Sequence, residues 1–163
     1  TVFESGIICE MFACRTINYQ RKRLIMAGVT RFGVSLEDTL LKRFDEHIHR
    51  RKYTNRSEAI RDLIREELVR EQWRENSEVT GAITLVYDHH HRGLVSRLLD
   101  IQHDYHHTIF SSQHIHLDHD NCLEIIITKG KAQIIEELYG KLKSAKGVKH
   151  AGFAMATTGD ISA

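Results

Sequence analysis

The chain has 163 residues, 41% of them hydrophobic, which suffices for one ordinary domain or two small ones with packed cores. Its formal net charge of +1 excludes a strongly basic nucleic-acid binder on bulk electrostatics, and no apolar run approaches the roughly 20 residues of a membrane span. Three cysteines, Cys9, Cys14 and Cys122, make no disulfide framework; with no basic leader and no small-residue cleavage pattern, the expectation is a cytoplasmic protein whose thiols are free for metal chemistry.

Charge is unevenly placed. The stretch from Arg15 to Arg74 carries most of the Lys and Arg, whereas ten of the 12 histidines follow residue 77, and two such halves predict two domains. Residues 1–28 show no stable period and read as an amino-terminal arm without fixed structure, with Met26 as an alternative start. A functional reading of the arm would lay Arg21, Lys22 and Arg23 along a DNA backbone.

Over residues 29–75 the pattern predicts a DNA-binding unit. In "RFGVSL" the apolar Phe32, Val34 and Leu36 alternate with Arg31, Gly33 and Ser35, as in a short strand with one buried face. Leu36, Leu40, Phe44 and Ile48 then recur every four residues, predicting a helix that ends at the turn-like "RRKYTN". Asn55 with Glu58 resembles a capping pair that opens a second helix carrying Ile60, Leu63, Ile64 and Leu68 on one stripe. A lone six-residue strand cannot make a sheet, so this unit must pair, two copies joining their strands into an antiparallel ribbon whose outer side chains enter a DNA major groove.

Residues 76–158, before a tail at 159–163, change period. "VTGAITLVYDH" reads as a strand and "RGLVSRLLDIQHDY" as a helix with Leu94, Leu98 and Ile101 inward. "HTIFSSQHIHL" and "NCLEIIITKG" read as a hairpin, "KAQIIEELYGKLKSAK" as a helix and "GVKHAGFAMAT" as a strand. The order βαββαβ is the ferredoxin-like arrangement that ACT-type regulatory domains also use, so the whole is α+β.

"QHIHLDHDNC" carries the chemistry. His114 and His116 stand two apart in a strand, project from one face and can chelate a single ion, and Cys122 across the "LDHDN" turn can supply a thiolate. His103, at the end of the preceding helix, is a candidate fourth ligand if another copy brings it close, and His119 is a weaker one. Imidazole with thiolate suits zinc, copper or nickel, and ligand type alone does not separate them. The triplet His89 to His91 reads as a loop that is solvated or an adventitious metal binder rather than a site. Glu58 and Asp62 share a helix face beside Arg61 and Arg65, which is the pattern of ordinary ion pairs.

With "NRSEAIRDLIR", "QHDYHH", "HIHLDHDNCLEI" and "TKG" together, the sequence resembles the nickel-responsive ribbon-helix-helix repressors, the NikR family, from about Val29 to Ala156. The resemblance implies square-planar nickel, Ni2+, on His114, His116 and Cys122 with His103 from a facing subunit, hence a homotetramer with regulatory domains at its core. It implies base reading at Arg31, Gly33 and Ser35, although Gly33 lacks the polar side chain common there, and phosphate contacts at Arg56 or Arg92. Glu58 and Asp62 match a second cation site, and Tyr87 and Glu124 match groups beside the nickel. The function implied is a nickel-dependent regulator of transcription that represses nickel uptake. Two alternatives are the same architecture sensing another metal or a small ligand, and a zinc hydrolase using Glu124 as its base.

Overall fold

The computed structural model describes residues 30–159. The expected arm, residues 1–28, lies outside them. A compact unit starts at Asp38 and contains, in order, α1 (Asp38–Arg51), α2 (Arg56–Arg74), β1 (Glu78–Asp88), α3 (Leu94–Asp104), β2 (Ile109–His116), β3 (Asn121–Lys131), α4 (Ala132–Ser144) and β4 (Val148–Ala156). The four strands form one antiparallel sheet in the order β2-β3-β1-β4, which is the expected βαββαβ topology behind two helices. No described helix is long and apolar enough to cross a membrane.

Local chemistry sets the helix ends. α1 opens on Asp38 and closes on His49, Arg50 and Arg51, charges that suit the dipole at each end. Lys52 then turns left-handed at φ 59°, and the Tyr53 N–H donates to the Ile48 carbonyl at 3.1 Å. Asn55 caps α2 by accepting from the Glu58 N–H at 2.9 Å. The Glu58 carboxylate accepts from Thr54 Oγ1 at 2.8 Å, so the capping pair is completed on one side only.

At its other end α2 is stopped by Asn76, left-handed at φ 54°. The Asn76 N–H donates to the Trp73 carbonyl at 3.2 Å and the Ser77 N–H to the Gln72 carbonyl at 2.9 Å, the paired bonds of a Schellman motif. The same asparagine reaches the start of α4, where its Oδ1 accepts from the Gln133 N–H at 3.0 Å and its Nδ2 donates to Gln133 Oε1 at 3.2 Å. One residue therefore terminates α2 through its backbone and caps α4 through its side chain.

Strand alternation decides what is buried. In β1 the residues Val79, Gly81, Ile83, Leu85 and Tyr87 face the helices, and all are buried. Ile83, Leu85 and Ile126 of the sheet pack with Leu94 and Leu98 of α3 and Leu138 and Leu142 of α4. A second cluster joins Trp73 of α2 to Val79, Ala132 and Ile135, and Phe153 touches both clusters. The Trp73 and Phe153 rings meet edge to face at 5.2 Å, and Trp73 Nε1 donates to the Ala156 carbonyl at 3.1 Å. Phe153 lies so close to β1 that a Cβ on Gly81 would stand 2.9 Å from its ring, so only glycine fits there. The opposite sheet face carries Val86, Leu123, Ile125 and Ile127, half-buried or exposed.

Thr30–Glu37, described by itself, is exposed throughout and forms no strand, unlike the sequence expectation for "RFGVSL". An isolated strand leaves its backbone groups unpaired and its apolar side chains in water, and here Phe32 is 69% and Val34 58% exposed. The alternation is present, but the described residues supply no second strand to pair with it.

Truncating Trp73 removes the ring that attaches α2 to the sheet. Trp73→Ala should lower the unfolding free energy by about 3–5 kcal/mol in chemical denaturation, and a loss below about 1 kcal/mol would show that α2 is not held by this contact.

Candidate metal centre

The site is built where three segments end together. Antiparallel pairing sets Tyr87 of β1 opposite Cys122 of β3, and Cys122 opposite His116 of β2; two residues along, Glu124 stands opposite both Leu85 and His114. Because side chains alternate, His114, His116, Cys122, Glu124 and Tyr87 all lie on the helix-facing side of the sheet. The β2–β3 turn is fixed by Asp118, whose Oδ1 accepts from the backbone N–H groups of Asp120 at 2.9 Å and Asn121 at 2.8 Å. These bonds, after the Asn121 side-chain amide, hold the Asp118 carboxyl below its usual range.

Cys122 is fully buried, and its Sγ lies 3.2 Å from His89 Nδ1 and 3.3 Å from His116 Nδ1. The three residues offer donor atoms within 4.8 Å of one another. The rings of His114 and His116 are 4.9 Å apart. Burial pushes the Cys122 thiol up, and the carboxylates of Asp118, Asp88 and Glu124 push the same way. Burial first, then His90 and His116, pushes His89 down. At neutral pH the group is thus a protonated thiol beside His89 in its uncharged, ligating form, and a metal must displace the thiol proton to bind sulfur.

A buried polar chain orients His114. Glu124, only 6% exposed, accepts from Gln102 Nε2 at 2.8 Å on one oxygen and from the Tyr87 hydroxyl at 3.0 Å on the other. The tyrosine proton being committed to Glu124, its oxygen can only accept from His114 Nδ1, 3.2 Å away, and the lone pair of that imidazole is left on Nε2. Burial, followed by the Glu124 charge, drives the Tyr87 pKa far upward, so the phenol keeps that proton. This is the arrangement by which a partner behind a ligating histidine selects its tautomer. With both oxygens occupied, Glu124 is poorly placed to act as a hydrolytic base.

The other predicted residues fall elsewhere. His103 sits exposed in the last turn of α3, stacked on His106 at 5.8 Å, outside the Cys122 group within one chain. Glu58 and Asp62 are each engaged locally, by Thr54 Oγ1 and by the Tyr53 hydroxyl. Arg31, Gly33 and Ser35 lie exposed in the segment before α1, and Arg92 is exposed in the loop before α3. Arg56 forms a bidentate pair with Asp45 at 2.7 and 2.8 Å, which any phosphate contact would have to open. The triplet lies in a loop, with His90 and His91 exposed, and its members point three ways: His89 turns to Cys122, His90 toward Asp120, and His91 lies against Gly147. His89, beside Cys122, is a neighbour of the candidate ligands that the sequence reading did not place there. The odd-numbered parity of β1, from 79 to 87, extended by one step, would have pointed to it.

Residues 80–156 match the NikR carboxy-terminal nickel binding domain, and residues 30–71 match the ribbon-helix-helix proteins of the copG family. A protein of Syntrophus aciditrophicus named as a nickel-responsive regulator is 56% identical over 84% of this chain and 100% of its own length. The chain belongs to the nickel-responsive regulators. A second member, from Chlorobium phaeobacteroides, is 57% identical over 81% of this chain and 98% of its own. A third, from Thermococcus onnurineus, is 52% identical over 80% of this chain and 96% of its own. The match of both segments in one chain makes this a regulator and not an enzyme, in agreement with the occupied Glu124 carboxylate.

The buried thiol gives a direct check on the centre of this nickel-responsive regulator. In a chain carrying Cys9→Ser and Cys14→Ser, Cys122 should react with a disulfide reagent at pH 7 at least about tenfold more slowly than a free cysteine, and at the ordinary rate once unfolded. Fast reaction in the folded protein would contradict the burial that raises its pKa.

Proposed function

We propose that the protein is a nickel-responsive, DNA-binding regulator of transcription that represses nickel uptake in the cytoplasm. Residues 29–75 bind the operator and residues 76–158 sense the metal. The observation that carries the reading is the convergence of Cys122 and His116, with His114 held behind them by Tyr87. Thiol and imidazole on one sheet face suit a borderline divalent ion such as nickel. His114, His116 and Cys122 of one chain hold it together with His103 of another copy. When bound, nickel ties two chains together through these side chains.

The chain's own residues prepare that linkage. Gln102 bonds to Glu124 and thereby fixes the last turn of α3, where the next residue, His103, points to solvent. The sheet face with Val86, Leu123, Ile125 and Ile127 is apolar and supports burial against a second copy, in keeping with a homotetramer. Exposed Phe32, Val34 and Leu36 support a ribbon completed by a second chain, with Arg31, Gly33 and Ser35 turned to base edges. Arg56 and Arg92 are assigned to phosphates. Glu58 and Asp62 are assigned to a second cation site, where the cation would replace the Thr54 and Tyr53 hydroxyls as their partner.

Metal and operator affinity are then linked, each tightening the other by the same factor, typically about 5–150-fold. Gel-shift titration on a two-half-site operator should show tighter binding with nickel, a gain that Cys122→Ala abolishes while leaving metal-free binding unchanged. Equal operator affinity with and without nickel would sink the proposal, and a response to a small molecule that survives Cys122→Ala would favour a ligand sensor.

A further inference from the structure

If His103 serves the metal group of another copy, as proposed above, the last turn of α3 has to offer that imidazole outward and hold it there. Gln102 anchors the turn to the sheet through Glu124. On the other side of His103 the chain makes a second anchor, so far without a role. Tyr105, the residue that closes α3, is half-buried against the main core cluster, and its hydroxyl donates to Glu137 Oε1 of α4 at 2.7 Å.

Lys141, one turn further along α4, reinforces this anchor. Its ammonium lies 4.8 Å from the centre of the Tyr105 ring and pairs with Glu137 Oε1 at 3.2 Å. The phenol is thereby held by the core, by a carboxylate and by a cation. Backbone bonds carry that position into the turn. The Tyr105 N–H donates to the Gln102 carbonyl at 3.2 Å, and the Tyr105 carbonyl accepts from the N–H groups of Thr108 at 2.8 Å and Ile109 at 3.1 Å. The His103 carbonyl accepts from the His106 N–H at 3.2 Å, and the His106 ring Nδ1 lies 2.9 Å from the same oxygen. The backbone of His103 is held on both sides while the residue stays exposed.

We propose that Tyr105 is a positioning residue for His103: locked to Glu137 and Lys141, it holds the end of α3 so that the imidazole is offered to another copy in one orientation. The inference rests on the proposed role of His103. A ligand carried on a loose turn loses conformational freedom when it binds, and that loss subtracts from affinity; a turn already fixed on both sides of the ligand loses less. Tyr105 acts through His103 and not on the ion itself. In this way α4 enters the site, through Glu137 and Lys141, without contributing a ligand.

The test is the nickel affinity of the full chain, measured by competition with a chelator, together with hydrogen exchange in the metal-free protein. Tyr105→Phe keeps the ring against the core and beside Lys141 and removes only the hydroxyl. It should weaken nickel binding about tenfold, and without metal the amides of residues 105–109 should exchange several-fold faster. Glu137→Gln keeps an oxygen that accepts from the hydroxyl and should stay within about twofold of the unaltered chain, which separates the hydroxyl bond from the ion pair with Lys141. In a chain carrying His103→Ala, adding Tyr105→Phe should weaken binding no further. An equal loss in that background would assign Tyr105 to folding alone and overturn the proposal, as would unchanged affinity in Tyr105→Phe while His103→Ala binds nickel more weakly. Unchanged affinity in His103→Ala would instead remove the proposed role of His103, and that of Tyr105 with it.

Discussion

Everything at the metal centre hangs on one register: Tyr87 opposite Cys122 across β1 and β3. A slip of one residue would send Cys122 and Glu124 to the other face of the sheet and leave the histidines of β2 without a thiol. The register is held along the full length of β1, from Glu78 opposite Lys131 to Asp88 opposite Asn121, with Ile83 and Ile126 buried at its middle. The apolar core and the ligand set are therefore specified by the same alternation. A sequence that packs this sheet correctly also assembles the site.

The polar groups inside this core are few and occupied. Thr128 is fully buried and donates to the Gly81 carbonyl at 3.0 Å; Glu124 fills both oxygens, from Tyr87 and Gln102. Leaving such an acceptor unpaired would cost about 1–3 kcal/mol, so removing either donor acts on stability as well as on the site. The arrangement links three elements: Tyr87 brings β1, Gln102 brings α3 and His114 brings β2. A buried carboxylate that contributes no net adhesion can still define where its neighbours stand.

Much of this was legible in the sequence because the signals are local and periodic. Alternation marked the strands, the four-residue spacing marked α1, Asn55 marked the start of α2, and the pair His114 and His116 with Cys122 marked the chemistry. What could not be read depends on separation in the chain. The Arg56–Asp45 pair spans 11 positions across the connection between α1 and α2 and carries no periodic signature. His89 was hidden inside a histidine triplet whose members point three ways. The alternation of "RFGVSL" was legible, but the described residues of one chain form no strand there. His103, legible from its place at the end of α3, stands outside the Cys122 group within one chain.

Asn76 has a mechanical consequence. By closing α2 with its backbone and opening α4 with its side chain, it makes the long helix a lever arm clamped at the sheet end. α2 has 19 residues and so reaches about 28 Å from that clamp. A tilt of only ~5° at the clamp would carry its far end through roughly 2.5 Å, close to half a helical pitch. Displacements too small to disturb packing in the sheet would thus be magnified at Arg56 and the turn before it, where the chain leaves α1.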